Sequence, residues 1–304
     1  SSTMRLDDEF GALMLAEETK TLARQIDENE FETVAQAADA IRTLLPSTHI
    51  NVQSAILSDV GQEREINEDS GMILKIQRHA VLDRRDLELY VVADGMGGHE
   101  GGEVASDLTM RALETHLNAK SAIDWNDNVA VKNALLEVID LVNADVVALT
   151  ETPRYKGTRA KPGSTLVFAL RLGARVFVGN VGDSRAYNYS NGVLERISKD
   201  HSYVQTLIDR GEITEEEAFD HPEGSVITAH IGFPKLKTRD VFLRLFKAGD
   251  KLLLVSDGVT DMLRDREYLP HLNDNPEAVC RNLVDASNAA GGFDNITVVC
   301  VEFS

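Results

Sequence analysis

Residues 89–104 read LYVVADGMGGHEGGEV: an apolar run, one carboxylate, then five glycines within eight positions. Tyr90, Val91, Val92 and Ala93 in succession leave no polar stripe for an amphipathic helix, so 90–93 reads as a buried strand. Asp94 falls at that strand's end. The glycines let the backbone come close to an ion or a phosphate, and a helix is expected beyond them, over 103–117. A carboxylate at such a mouth serves as a ligand or a base. The plainer reading is a glycine-rich turn capped by Asp.

Working outward, short apolar runs recur on both sides of this stretch. Strands are expected at 50–57, 71–77 and 87–93, with a polar hairpin at 78–86. After the helix at 103–117 a second is expected at 128–149, with Ala134, Leu135, Val138, Val142 and Val146 on one face. Strands follow at 164–170, 175–181, 185–189 and 193–197, the last two joined by Ser190, Asn191 and Gly192, where Asn-Gly is a hairpin signal. Residues 203–224 are charged and helical, with Thr214 and Glu217 spaced as a capping box, and they interrupt the strands like a surface lid. Strands at 241–246 and 251–256, a helix at 276–289 and a strand at 295–303 complete the chain. Strands joined mostly by hairpins are not alternating βα units. The expected fold is therefore α+β, a four-layer α-β-β-α sandwich of two packed antiparallel sheets flanked by helices.

Composition limits the partners. The formal net charge of −19 argues against nucleic acid or an anionic membrane, which need clustered Lys and Arg, and suits cations instead. Cys280 and Cys300 are the two cysteines, each in an apolar pattern, and read as reduced core residues. No run reaches the ~18 to 20 apolar residues of a membrane span and no signal peptide is evident, so a cytoplasmic protein is expected. Residues 1–48 differ from the rest, with ten acidic and four basic residues and helical apolar spacing. Phe10, Leu13, Met14, Leu22 and Ile26 mark one helix there; Phe31, Val34, Ala38, Ile41 and Leu45 mark another. The expected division is an N-terminal helical extension at 1–48, acting as a packing, regulatory or self-associating arm, and a second domain at 49–304.

Chemistry concentrates in carboxylates at strand ends or beside glycine: Glu68 with Asp69, Asp94 before Gly95, Asp183 after Gly182, Asp257 before Gly258, and Asp294. Alone, each is more often a turn residue. Gathered together they would repel one another unless cations neutralised them, and oxygen ligands without Cys or His select hard ions such as Mg2+ or Mn2+. Two such ions can bridge a water, lower its pKa and aim it in line at phosphorus. Arg64, three residues before Asn67, is placed to fork onto phosphate oxygens.

These residues resemble the metal-dependent protein phosphatases of type 2C, in the bacterial serine/threonine branch. The resemblance runs from about 51 to 303 through GQEREINED at 61–69, DGMGGH at 94–99, Gly163-Ser164-Thr165, Gly182-Asp183-Ser184-Arg185, Asp257-Gly258 and GGFDN at 291–295. It implies a metal-dependent phosphatase that hydrolyses phosphoserine and phosphothreonine in proteins by in-line attack of a metal-bridging water. By position, Asp94 would bridge two ions, Glu68 and the Gly95 carbonyl would hold one, and Asp257 and Asp294 the other. Asp183, with Asp257, would match a third, weaker metal position. Arg64 would grip the substrate phosphate, Asp69 would stand beside the metal waters, and 203–224 would be the flap beside the cleft. Phosphorylated proteins are the implied substrates and a cognate Ser/Thr kinase the implied counterpart.

Three departures stand out. Animal and plant members often carry His where this chain has Met96, so the leaving oxygen's proton must come from elsewhere; His99 is nearby, with helix capping as its expected role. Ala229, in SVITAHIG at 225–232, stands where the family commonly has Arg, which bears on flap anchoring or substrate contact rather than metal chemistry. The arm has no counterpart in the minimal catalytic domain. The alternative function is a catalytically silent metal- or phosphoprotein-binding module, which would be expected to have lost ligands that are all present here.

Overall fold

The computed structural model describes residues 50–77, 86–97, 101–120, 123–158 and 161–304. The helical extension, the polar hairpin and His99 lie outside the described residues. Eleven strands and seven α-helices follow in order among the described residues: β1 Val52–Asp59, β2 Asp69–Gln77, β3 Asp86–Met96, α1 Gly102–Ala119, α2 Asn128–Thr150, β4 Gly163–Ser164, β5 Leu166–Leu172, β6 Arg175–Val181, β7 Arg185–Ser190, β8 Val193–Arg196, α3 Tyr203–Asp209, α4 Glu215–Phe219, β9 Asp240–Leu245, β10 Lys251–Val255, α5 Asp257–Thr260, α6 Asp265–Tyr268, α7 Pro276–Ala289 and β11 Ile296–Phe303.

Alternation along the strands builds the layers. In β3, Leu89 and Val91 point to a cluster shared with α1 and α2, through Leu113, Leu135 and Ile139. Tyr90 and Val92 point the other way, into a cluster with Leu252, Leu254, Val299 and Val301 of the facing sheet. In β10, Leu253 and Val255 turn outward onto α7, where Val279, Cys280 and Leu283 meet them. Three apolar interfaces thus separate four layers, which is why both sheets carry nearly continuous apolar runs. One sheet runs β1-β11-β10-β7-β8 and the other β2-β3-β5-β6-β9, with β4 added beside β3. The strand pairs are antiparallel, as expected.

Local chemistry fixes the turns. Asn191 at φ 52° and Gly192 at φ 81° supply the two positive φ values that a tight β7–β8 hairpin needs. Thr214 and Glu217 close the expected capping box on α4. Both cysteines are free and buried, and burial raises the Cys280 thiol to about 12. Among the described residues no helix is long and apolar enough to cross a membrane.

Two expectations change. Asp94 is not the last residue of its strand, because Gly95 and Met96 continue the ladder against Ser164 and Gly163. Two short helices, α5 and α6, occupy 257–268, where no element was expected. Four residues each are too few to show a helical period.

Candidate active site

Strand direction gathers the carboxylates. The start of β2 lies beside the end of β3, so Asp69 and Asp94 are paired neighbours. The end of β10 lies beside the starts of β7 and β11, which brings Asp257, the 182–184 turn and Asp294 to the same end of the other sheet. Sequence positions more than two hundred residues apart thereby share one cleft.

Each carboxylate is set by named partners. Asp94 lies on a backbone locked by Thr165, whose N–H donates to the Asp94 carbonyl at 2.8 Å and whose Oγ1 accepts the Asp94 N–H at 3.0 Å. Asp69 Oδ2 accepts from Ser256 Oγ at 2.8 Å. Asn295 fastens the loop that carries Arg64 and Glu68. Its Oδ1 accepts the Glu68 N–H at 2.8 Å, while Nδ2 donates to the carbonyls of Val60 at 2.9 Å and Ile66 at 3.0 Å. Gly95 and Gly102 permit the closest approach. A side chain on Gly95 would strike the backbone of Gly102 and Glu68, and one on Gly102 would strike both the Glu68 carboxylate and the Gly95 carbonyl. The glycines therefore serve to bring those two oxygen donors together.

Electrostatics mark the cluster as crowded. Burial, reinforced by Asp257, Asp69 and Asp183, pushes the Asp94 carboxyl well above the usual range. Burial likewise raises Asp69 to about 8, and burial with the neighbouring Asp294 raises Asp257 to about 6. Asp183 is pushed well up by burial and by Asp257, and Glu68 is raised chiefly by burial. Ionising them together without a compensating charge is costly.

A divalent cation suits this donor set. Asp257 Oδ1 is buried without a hydrogen-bond partner, and the Glu68 carboxylate and Gly95 carbonyl converge over Gly102. All the donors are oxygen, which favours hard ions. Among the described residues no three or more His, Cys, Asp or Glu side chains are arranged to hold a metal ion as they stand, so the donors sit open. Arg64 contributes to that openness: instead of projecting freely for a phosphate, its Nη2 donates to Asp294 Oδ2 at 2.6 Å. The pair is half-exposed, so an incoming anion and cation can each take one partner at little cost.

Beside the cluster lies a cavity of about 510 Å³ between 203–224 and 260–266, lined among others by Asp183, Asp261, Phe219, Arg264 and Phe293. Arg264 joins its two walls, standing 4.0 Å over the Phe219 ring and pairing with Glu216 at 3.2 Å and Asp220 at 2.8 Å. Ala229, where Arg is common, is 3% exposed and sits in the core beneath α2. Sequence reasoning did not single out Thr165, Ser256 or Asn295 as supports of the site. Thr165 and Asn295 stand in the quoted Gly163-Ser164-Thr165 and GGFDN motifs without a role, and Ser256 is a polar residue directly before the Asp257 carboxylate at the end of an apolar run.

Comparison with known proteins agrees with this arrangement. The protein phosphatase 2C family profile matches residues 65–289. The serine/threonine phosphatase stp of Listeria monocytogenes is 34% identical over 248 residues, which cover 81% of this chain and 93% of the relative. The S. agalactiae serine/threonine phosphatase structure superposes with a TM-score of 0.72 at 31% identity, covering 83% of this chain and 99% of that one. The catalytic domain of the phosphatase PstP, solved in complex with two manganese ions, superposes at 0.67 with 32% identity over 84% of this chain and 98% of that one. With the sandwich, the strand-end carboxylates and the matched length in agreement, the chain belongs to the protein phosphatase 2C family.

Proposed function

We infer that this chain is a metal-dependent serine/threonine protein phosphatase whose cleft at the strand ends hydrolyses phosphoserine and phosphothreonine in proteins. The observation that carries this is the convergence of Asp69, Asp94, Asp183 and Asp257 at one end of two sheets, with Asp257 Oδ1 buried and unpartnered. Such a set is stable when neutralised by cations, and bound divalent ions supply an acidified water and neutralise phosphate charge. Two ions, Mg2+ or Mn2+, are proposed. Asp94 would serve both, Glu68 and the Gly95 carbonyl would hold one, Asp257 and Asp294 would hold the other, and Asp183 with Asp257 would provide a third, weaker position.

The chain's own groups do the remainder. Arg64 exchanges Asp294 for the substrate phosphate, where its planar guanidinium contacts two oxygens and orients phosphorus for in-line displacement. Asp69, held by Ser256 Oγ and raised by burial, would stand beside the metal-bound waters as a supporting group. The flap at 203–224 faces the protein part of the substrate. The reading includes a cytoplasmic setting, a kinase whose products are the substrates, and an arm at 1–48 that regulates, packs or self-associates. The catalytically silent alternative is disfavoured because Arg64, Glu68, Asp94, Asp183, Asp257 and Asp294 are all retained.

The direct test is hydrolysis of para-nitrophenyl phosphate and of a phosphothreonine peptide in Mn2+, Mg2+ and EDTA at fixed pH. Turnover that vanishes with chelator is expected. Binding of Mn2+ with no turnover in any metal would favour the silent module.

A further inference from the structure

His201 occupies a junction to which the reading of the cleft assigns no task. Its imidazole is 4% exposed, and both ring nitrogens are engaged. Nδ1 accepts the backbone N–H of Gly182 at 3.2 Å, and Nε2 lies 3.0 Å from Asp240 Oδ2 on β9. A ring that accepts at Nδ1 carries its proton on Nε2, so the imidazole is neutral and donates to Asp240. The backbone adds a second link, because the His201 N–H donates to the Gly182 carbonyl at 2.8 Å. One residue therefore holds both polar groups of Gly182.

Gly182 is where such a hold matters. Its φ is 110°, and a Cβ there would lie 2.8 Å from Thr165 Cβ, so the turn is tight and depends on its partners. Asp183 follows directly. The far side of the turn is held by Ser184 Oγ, 2.7 Å from Thr165 Oγ1, the same oxygen that accepts from Asp94. Asp183 thus sits between one support leading to Asp94 and another leading to His201.

His201 also marks the root of the flap. Its carbonyl accepts the Thr228 N–H at 2.7 Å, and the Tyr203 N–H donates to the Val226 carbonyl at 2.8 Å. Ser202 and Ile227 pair between them as an isolated bridge. The outgoing and returning ends of the flap are zipped together on the residue that grips Gly182.

We propose that His201 is a positioning residue that joins the Asp183 turn to the root of the flap, so that cation capture at Asp183 and the seating of the flap are energetically coupled. This rests on the reading of Asp183 as a ligand. His201 touches neither substrate nor cation; it acts by fixing the peptide beside the ligand, as outer partners of metal ligands do.

Two substitutions separate the ring's two bonds. His201→Asn keeps an acceptor near the Nδ1 position and loses the Nε2 donor, whereas His201→Gln reaches Asp240 and presents no acceptor to Gly182. The measurements are Mn2+ calorimetry on the full chain and amide hydrogen exchange at Gly182, Tyr203 and Thr228, with Asp183→Asn as reference. His201→Gln is expected to weaken the Asp183-dependent Mn2+ event by about 10- to 100-fold, leave the other binding events intact, and speed exchange at all three amides. His201→Asn, which keeps the Gly182 contact and loses the Asp240 contact that orients the ring, is expected to weaken the same event by only a few fold. If His201→Gln lowers the melting temperature while the Asp183-dependent event and the flap-root exchange stay at wild-type values, the residue is merely structural and the coupling is wrong. If His201→Gln fails to fold, Asp240→Ala takes its place and must weaken the same event; an unchanged event overturns the proposal. An Asp183→Asn chain that binds Mn2+ like wild type would instead remove the ligand reading itself, and the coupling with it.

Discussion

The floor of the cleft and the flap beside it are built from opposite materials. On the floor, carboxylates hang from strand ends whose backbone is held by buried polar side chains: Thr165 on Asp94, Ser256 on Asp69, Asn295 on the loop before Glu68. In the flap, α3 buries Val204, Gln205 and Leu207, but α4 has five residues, none of them buried, and it leans on ion pairs whose acidic members are mostly exposed. Glu215, Glu216 and Asp220, which pair with Arg196 and Arg264, are 71%, 62% and 74% exposed. Buried hydrogen bonds are costly to break and hold geometry; exposed ion pairs contribute little and exchange partners freely. Under the proposed function, a rigid floor would keep reacting groups in place and a loosely held flap would suit varied protein surfaces.

The comparison fails if floor residues tolerate change. The largest effect is expected from Asp94→Asn, which removes charge from the centre of the cluster without touching the core. Turnover of para-nitrophenyl phosphate should fall by about a thousandfold or more, a loss of several kcal/mol in transition-state stabilisation. Circular dichroism should be unchanged, since the substitution also relieves repulsion. Near-normal turnover would remove Asp94 from the site. Next is Asn295→Ala, which leaves the Glu68 N–H and the Val60 and Ile66 carbonyls without a partner. About 3 kcal/mol of stability should be lost in urea unfolding, and Mn2+ affinity should drop with it. A stability loss below about 1 kcal/mol would mean that the loop is held by other contacts.

A third test uses pH. The folded-state values of Asp69, about 8, and Asp257, about 6, lie above those of exposed carboxyls. A raised acid binds its proton more tightly folded than unfolded, so its contribution is present at low pH and lost as pH rises through the folded value. The chelated protein should therefore melt higher at pH 6 than at pH 8.5, by a few degrees. Added Mn2+ should reverse the order, because the ions bind the ionised form. A chelated protein whose melting temperature rises between pH 6 and 8.5 would contradict the crowded-carboxylate picture.

How much of this was legible in the sequence follows from length scales. The layers were readable because runs such as 89–93 and 251–255 are long enough to show burial on both faces, and the hairpins because Asn191-Gly192 has one favoured geometry. The carboxylates were readable as strand-end residues. Their crowding was implied but not measurable, since it depends on which strands are neighbours. Helices α5 and α6 were not readable at four residues each. Nor was the Arg64–Asp294 pair, which joins positions 230 residues apart. The sequence assigns Arg64 to phosphate alone, and the structure adds the carboxylate it must release.

The smallest effect belongs to the flap, and it tests the comparison from the other side. Arg264 touches α4 through the Phe219 ring face and the Glu216 carboxylate, reaches Asp220 just beyond it, and is 26% exposed. Arg264→Ala should cost only about 1 to 2 kcal/mol, the sum of a cation–π contact and exposed ion pairs. Its cleft chemistry should be untouched, because Arg264 contacts none of the carboxylates proposed to hold metal. Para-nitrophenyl phosphate carries no peptide and has no need of the flap, so its kcat and KM should stay at wild-type values. Under the proposed function a phosphothreonine peptide would lie across the flap, and its KM should change by a few fold while kcat holds. Raising salt should weaken the same pairs in the wild-type protein and move the peptide KM in the same direction, with no further shift in the variant. If Arg264→Ala instead lowered kcat on both substrates alike, α4 as well as the flap root at His201 would be mechanically joined to the floor, and the division between a rigid floor and an adaptable α4 would have to be abandoned.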